Sequence, residues 1–520
     1  MNAAVAWLCA TRWRQALLLL AIGAAVFLPK LGSTGLSMSE GHRAIPAWEM
    51  LDDARADEAH WLVPRMFETA YLRKPPGMLW AIAASTTVFG ETEFAARFPG
   101  ALAATLLGLA VWWFATRWFG SPWGVAAGLA QILLPVTWPS ARSAEIEPLH
   151  MLTTGVACLL VVDWFARTPR ARSGRWTRAG VLSISVLAML MVKGPSGAPF
   201  LGGTLVGSLI VLGLGQRSRR DMAKNMLLPL LLAIGAAALV AQLLTQPDLG
   251  TEPAVRQGVD SFLWERGKLL QILFISPTIL ATMLPVSLAL LFPWGPDAAR
   301  ERRAERAPTG PGTVARALAF SCLGALVIFE VAGVSNERYG LPLCALLTPL
   351  VAYVARGAGH SGSRPLAPAF LSTRPAIARA MFLGSPLAWP ILLLIGAAVY
   401  VGVLERDRRA SSGREAGIAL AAHLPDGTQI WADEIIEARP EVLYYAVREA
   451  AAQGKSVRVR WLKPGFLPEK QPEGLLLLLR EDDLADEVAA YREMDRFGTL
   501  REIARGGVHK YTFVLVETGH

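Results

Sequence analysis

Residues 15–29 read QALLLLAIGAAVFLP, and a few positions on, residues 37–51 read SMSEGHRAIPAWEML. The first stretch lies in an apolar run (14–31) of the length that a bilayer core demands. The second carries Glu40, His42, Arg43 and Glu49, with Pro46 inside it. A charged, proline-bearing segment pressed against a membrane-grade run predicts a helix lying at a membrane face, so the rest of the chain is read as spans and faces.

The whole chain supports that reading. Of 520 residues 53% are hydrophobic and 18% charged, whereas soluble domains carry about 25% charged residues. Apolar runs recur at 76–90, 95–117, 121–138, 148–166, 176–193, 195–215, 226–245, 269–293, 314–334, 340–356 and 385–404. The expected fold class is an α-helical polytopic membrane protein with about 11 to 13 spans over residues 1–404, its outer loop 32–75 carrying juxtamembrane helices. The first run follows Arg12 and Arg14 but is long for a signal core and lacks a small-x-small cleavage site, which predicts a retained anchor. Cys9, Cys158, Cys322 and Cys344 lie in or beside apolar runs without metal-like spacing and read as small core residues.

Charge orients the spans. The net charge of +9 concentrates in RTPRARSGRWTR (167–178), QRSRRDMAKN (216–225), RERRAER (300–306) and the 356–379 loop, which the positive-inside rule places in the cytoplasm. The N-terminus is then inside, and 32–75, 139–148, 193–197, 246–268, 335–340 and the tail are outside. Orientation accounts for the basic charge, so nucleic acid binding is not needed. One conflict of parity remains: three runs separate the outer loops 32–75 and 139–148, yet only an even number of crossings can join them. One run must be short, re-entrant or broken, and 121–138, with Pro122 and Pro135, is the first choice.

Residues 405–520 read as a separate small α/β domain outside the membrane. Short β-branched or apolar runs in DGTQIWADE, KSVRVRWL, GLLLLLRE and HKYTFVLVE alternate with the amphipathic segments RPEVLYYAVREAA and DDLADEVAAYREM, predicting strand, helix, strand, strand, helix, strand. Nothing in the tail resembles a nucleophile elbow or a phosphate loop.

Charged side chains beside hydrocarbon are costly, so clusters of them at one face are candidate sites. Four fall on the outer side: the opening stretch, then Arg65, Glu68, Tyr71, Arg73 and Lys74 in WLVPRMFETAYLRKPPGMLW (61–80), Arg142, Glu145, Glu147 and His150 in ARSAEIEPLH (141–150), and Asn336, Arg338 and Tyr339 in SNERYGLP (335–342). In the opening stretch helical spacing sets Glu40 and Arg43 apart from Ile45, Trp48 and Leu51, the pattern of an interfacial helix with Trp48 at headgroup depth, broken or kinked at Pro46. Lys74, held by Pro75 and Pro76, is a point charge suited to a lipid phosphate, and arginine forks suit the same group. Together these describe a site for an anionic lipid headgroup plus an acid or base.

The motifs SEGHRAIPAWEM, WLVPRMFETAYLRKPPGMLW, ARSAEIEP, MVKGPSGAP and SNERYGLPL resemble, in order and spacing over about residues 1–404, those of bacterial membrane glycosyltransferases related to protein O-mannosyltransferases and to the aminoarabinose transferase of lipid A. The resemblance implies the GT-C fold in the bacterial cytoplasmic membrane. It also implies transfer of a sugar from a polyprenyl-phosphate carrier to a lipid, protein or glycan acceptor on the outer face. The family opens its first motif with an Asp-Glu pair, where this chain has Ser39 and Glu40, and it has an Asp where this chain has Glu147. Carried over, the resemblance makes Glu40 and Glu147 the catalytic candidates. Lys74 and Arg338 or Tyr339 become contacts for the carrier phosphate, with Arg43, Arg142 and Tyr71 completing the substrate-binding set.

Transfer needs a base for the acceptor proton and cations for the departing phosphate. Serine is no base of useful strength, so either Glu40 or Glu147 takes the role or the chain is a degenerate relative that only binds polyprenyl-phosphate lipids. A lipid or sugar transporter is the alternative from another class, though polar residues stacked at one face fit it poorly. Glu40, Glu145, Glu147 and His150 are of the types that ligate a divalent ion. Some relatives use one and others do not, so no metal is assigned.

Overall fold

In a computed structural model the chain is a helical bundle with a small α/β unit on one end. The structure describes residues 11–56, 60–71, 73–167, 175–213, 269–284, 286–291, 310–331, 337–359, 412–432, 439–461, 476–480, 499–508 and 511–519, with a few isolated helical positions between them. The expected runs 226–245 and 385–404 lie largely outside these residues.

The first helices are α1 (Arg12–Phe27), α2 (Met38–Arg55), α3 (Gly77–Phe89), α4 (Glu93–Phe119), α5 (Ser121–Ile132), α6 (Trp138–Ala141) and α7 (Glu147–Ala166). A two-strand hairpin, β1 (Arg65–Met66) with β2 (Thr69–Ala70), sits between α2 and α3. Then come α8 (Arg175–Lys193), α9 (Ala198–Ser208), α10 (Leu269–Thr282), α11 (Pro311–Val331), a 3₁₀ turn over Glu337–Leu343, and α12 (Cys344–Gly359). Among the described residues four stretches are long and apolar enough to cross a membrane: Glu93–Phe119, Glu147–Ala166, Ala179–Leu212 and Pro311–Val331. The pair Trp123–Ile132 and Pro135–Ala141, bent by 43°, makes a fifth if taken as one span. Val88, Ile184 and Val327 are more than 60% exposed, as side chains turned to lipid would be. Where helices meet, small residues let them close up: Gly203 and Gly207 of α9 lie against Ala325 and Ser321 of α11.

The two ends of the bundle are chemically distinct. At one end Gln15 of α1 donates to Ser121 Oγ (2.5 Å), and Asp163 of α7 is paired with Arg117 (3.0 Å) and Arg167 (2.6 Å). At the other lie α2, the start of α7 and the end of α8. Chain direction resolves the parity conflict, and against the first choice. Helix α3 starts beside the Met191 backbone near the end of α8 and is followed by Glu91, which accepts from Tyr444 of the tail. Both its termini are at the same end of the bundle. Its 13 residues reach about 20 Å, short of a roughly 30 Å hydrocarbon core. The run 76–90 is therefore the one that does not cross, whereas 121–138 is bent yet continues along the bundle.

The tail consists of α13 (Arg414–Ala421), β3 (Gln429–Ala432), α14 (Pro440–Ala452), β4 (Arg458–Trp461), β5 (Leu476–Arg480), β6 (Thr499–Val508) and β7 (Tyr511–Gly519). The sheet order is β4-β3-β5-β7-β6, with β3 parallel to β4 and β5, and β7 antiparallel to β5 and β6. The four expected strands are present. β6 is an addition, and the expected second helix at 482–494 lies outside the described residues.

The tail covers α2, and this corrects the interfacial reading of the opening stretch. Ile45, Trp48 and Leu51 are buried in protein. Ile45 shares an apolar cluster with Leu443 and Ile430 of the tail, while Trp48 donates to Thr86 Oγ1 of α3 (3.1 Å) and packs on Tyr444 (4.8 Å). Pro46 does not break the helix in two, since α2 is continuous through it. Amphipathic spacing reports that a face is covered without saying by what.

Candidate active site

Glu40 and Arg43 stand one helical turn apart on α2 and have opposite fates. Glu40 is buried and fully engaged. Its Oε1 accepts from Arg97 Nε (2.7 Å) and the Ala144 N–H (3.1 Å), and its Oε2 from Arg97 Nη2 (2.8 Å), the Ser37 N–H (2.9 Å) and Ser37 Oγ (3.0 Å). Arg97 also donates to the carbonyls of Leu31, Thr34 and Gly35 (2.8–2.9 Å). This bidentate pair ties the start of α2, the segment after α1 and α4 into one unit. The expected catalytic role of Glu40 is therefore corrected: a carboxylate with every lone-pair direction occupied and no solvent is a poor proton acceptor for a substrate.

Arg142 is corrected in the same way. It is buried and donates to the carbonyls of Val26 (3.1 Å), Phe27 (3.0 Å) and Pro29 (2.6 Å). The carbonyls of Val26 and Phe27 are terminal ones of α1, without a partner inside their own helix, and that of Pro29 lies just past its end. Tyr71 is also buried, stacked on His42 at 5.9 Å with a 12° tilt, and it serves the packing of the 60–75 loop.

The remaining charges converge. Arg43 of α2 donates to the Ser39 carbonyl (2.8 Å) and approaches Glu145 at 3.9 Å, while Ser39 Oγ donates to Glu145 Oε1. Glu147, at the first position of α7, pairs with Lys193 Nζ at the end of α8 (3.0 Å), and the same ammonium lies 4.2 Å from the ring centre of Tyr339. Lys74 is half-buried, and its pKa is pushed below the ordinary lysine value first by loss of solvent and then by repulsion from Lys193, Arg43 and Arg73. Arg338 is exposed on the turn beside Tyr339, and Asn336 lies outside the described residues. The structure thus brings together Arg43, Lys74, Glu147 and Tyr339 of the expected set and adds Lys193, Ser39 and Glu145.

Lys193 is positioned by its local sequence. The KGPSG turn follows α8, with Gly194 at φ +61°, a conformation that costs glycine nothing. Ser196 Oγ donates to the Lys193 carbonyl (2.9 Å) and meets His150 Nε2 (3.2 Å), which locks the turn to α7. The signal for Lys193 and for Arg97 was present as a cation inside an apolar run, which needs a partner.

Two half-buried cations, Arg43 and Lys74, and the buried Lys193 are held close enough to repel one another beside the carboxylates of Glu145 and Glu147, and form a place that an anion would complete. Glu145 is raised above the ordinary glutamate range by burial, against the opposing pull of Arg43. Among the described residues no group of three or more His, Cys, Asp or Glu side chains is arranged to hold a metal ion.

An acid–base and cationic cluster thus lies at one end of an apolar bundle, beside a small α/β unit. Residues 73–244 match the family described as dolichyl-phosphate-mannose-protein mannosyltransferase. Undecaprenyl phosphate-alpha-4-amino-4-deoxy-L-arabinose arabinosyl transferase 2 of Pseudomonas fluorescens is 29% identical over 184 residues, 35% of this chain and 32% of that protein. Transferase 1 of the same organism is 31% identical over 129 residues, 24% of this chain and 22% of the relative. The matched stretches thus span about a third or less of these relatives' length. The structure aligns with that of ArnT from Cupriavidus metallidurans bound to undecaprenyl phosphate, with a TM-score of 0.65 at 18% identity, covering 98% of each chain. Sequence and fold together uphold the likeness to the mannosyltransferase and aminoarabinose transferase family that the motifs carry.

Proposed function

We propose that this chain is a multi-pass glycosyltransferase of the bacterial cytoplasmic membrane that moves a sugar from a polyprenyl-phosphate carrier to an acceptor, with the cluster and the tail on the outer face. The observation that carries the reading is the convergence of Arg43, Lys74 and Lys193 beside Glu145 and Glu147 at one bundle end. The names of the relatives, all undecaprenyl phosphate aminoarabinose transferases, support a donor of that class and make a lipid acceptor the first to try.

In this reading Lys74, Arg43 and Lys193 hold the carrier phosphate and stabilise the charge that grows on it as the sugar leaves. Glu147 sets Lys193 in place through their 3.0 Å ion pair, and the Tyr339 face holds the same ammonium on its other side. The test is donor turnover by the full chain in nanodiscs, using undecaprenyl phosphate carrying labelled aminoarabinose or mannose. Lys193→Met is expected to lower turnover about 100-fold, the scale of removing one preorganised electrostatic donor, and to weaken binding of undecaprenyl phosphate. Unchanged binding in both Lys193→Met and Lys74→Met would remove the phosphate site, and a wild type that turns over no polyprenyl-phosphate sugar would remove the activity.

A further inference from the structure

We infer that Glu145, positioned by the Ser39 hydroxyl, is the general base of this site, so that the working carboxylate sits on the 142–146 loop while α2 contributes only a hydroxyl at that point. The inference rests on the transfer reading above. The Ser39 side chain donates to Glu145 Oε1, and Oε2 lies 3.9 Å from Arg43. The Glu145 side chain is 15% exposed, so it is largely shielded yet still open on one side. Two neighbouring carboxylates are engaged elsewhere: Glu40 is consumed by Arg97, Ser37 and Ala144, and Glu147 is held through Oε1 by the buried Lys193.

The groups facing Glu145 are Ser39, Arg43 and Glu40 from α2 and Glu147 from the start of α7. Burial and the two carboxylates raise its pKa above the ordinary glutamate value, and Arg43 and the Ser39 hydroxyl oppose that. A carboxylate with a raised pKa takes a proton more readily than an ordinary one. In the step itself the Glu145 carboxylate takes the proton of an acceptor hydroxyl. The acceptor oxygen bonds to the sugar's anomeric carbon as the bond from that carbon to the phosphate oxygen breaks. The electron pair leaves on the polyprenyl phosphate beside Lys74, Arg43 and Lys193, and Glu145 then returns its proton to water.

The test uses the full chain in nanodiscs with two readouts. In turnover of undecaprenyl-phosphate sugar, Glu145→Gln is expected to lower kcat about 100-fold or more while undecaprenyl phosphate still binds. Ser39→Ala removes a hydrogen bond that favours the ionised form, so the acid limb of its kcat profile should move to higher pH. Ser39→Asp placed in the Glu145→Gln background should recover part of the lost kcat. In pH-difference infrared spectra, a titrating carboxyl band should vanish in Glu145→Gln and titrate at higher pH in Ser39→Ala. Glu145→Gln with kcat within about threefold of wild type, or a Ser39→Ala profile and infrared titration identical to wild type, would overturn the inference while leaving the transfer reading intact. A wild type without turnover would overturn both that reading and the base role, and the infrared arm would then show only whether the two residues titrate as a pair.

Discussion

Two ion clusters start from the same turn of α2, at Glu40 and Arg43, and do different work. In one, Glu40 and Arg97 are both buried and satisfy one another and six backbone or hydroxyl groups around them. In the other, Arg43, Lys74, Glu145 and Glu147 are each partly open beside a buried Lys193, and the cluster carries more positive than negative charge. Composition does not separate the two, since each has arginine against glutamate beside an apolar helix. Occupancy separates them. A carboxylate whose directions are filled by its own protein holds structure, and one left with a free side next to crowded cations can meet a substrate.

The comparison breaks most visibly at Glu40. Glu40→Gln keeps the shape but leaves a buried Arg97 without its counter-charge, and losing one partner of such a pair costs about 3–5 kcal/mol. A large fall in thermal stability in nanodiscs is expected, whereas Glu145→Gln should leave stability near wild type. Equal losses in the two variants would erase the distinction.

Arg142 sharpens it at the next scale. Arg142→Met orphans the carbonyls of Val26, Phe27 and Pro29 at and just past the end of α1 and should cost about 2 kcal/mol, with the KM for a polyprenyl-phosphate donor unchanged in the folded fraction. A raised KM at unchanged stability would return Arg142 to the substrate.

An effect that appears only as pH changes is expected at Glu49, which accepts from the Phe67 N–H (2.8 Å) in the turn of the β1–β2 hairpin. Burial raises its pKa from 4.5 to about 8. The native state therefore holds a proton that the unfolded chain has released, so stability falls as pH rises from about 4.5 to about 8 and stays reduced above that. Glu49→Gln should flatten this slope, visible as a melting temperature less dependent on pH across that window. An unchanged slope would place the titration elsewhere.

Much of this could be read in the chain itself. The apolar runs, the basic connections and the spacing of the motifs lead to the bundle, its two ends and the α/β cap, and Lys74, Arg43, Glu147 and Tyr339 lie near one another at one end. Glu40 and Arg142 were misplaced because a charged residue in a functional motif looks alike whether it faces a substrate or a carbonyl. Trp48 misled for the same reason: a covered face does not name its cover, and the tail that covers it lies some 400 residues on, with Trp48 against Tyr444.

By itself the sequence determined where the chain is apolar, where it is basic and which polar groups lie near one face, because bilayer thickness and charge orientation act on local composition. Only the tertiary structure decided that Arg97 takes Glu40, that Lys193 takes Glu147, that Ser39 meets Glu145 and that α3 turns back before crossing. Those pairings join residues far apart along the chain, 57 positions for Arg97 and Glu40 and 106 for Ser39 and Glu145. They depend on close approach at a helix end, which no local pattern encodes.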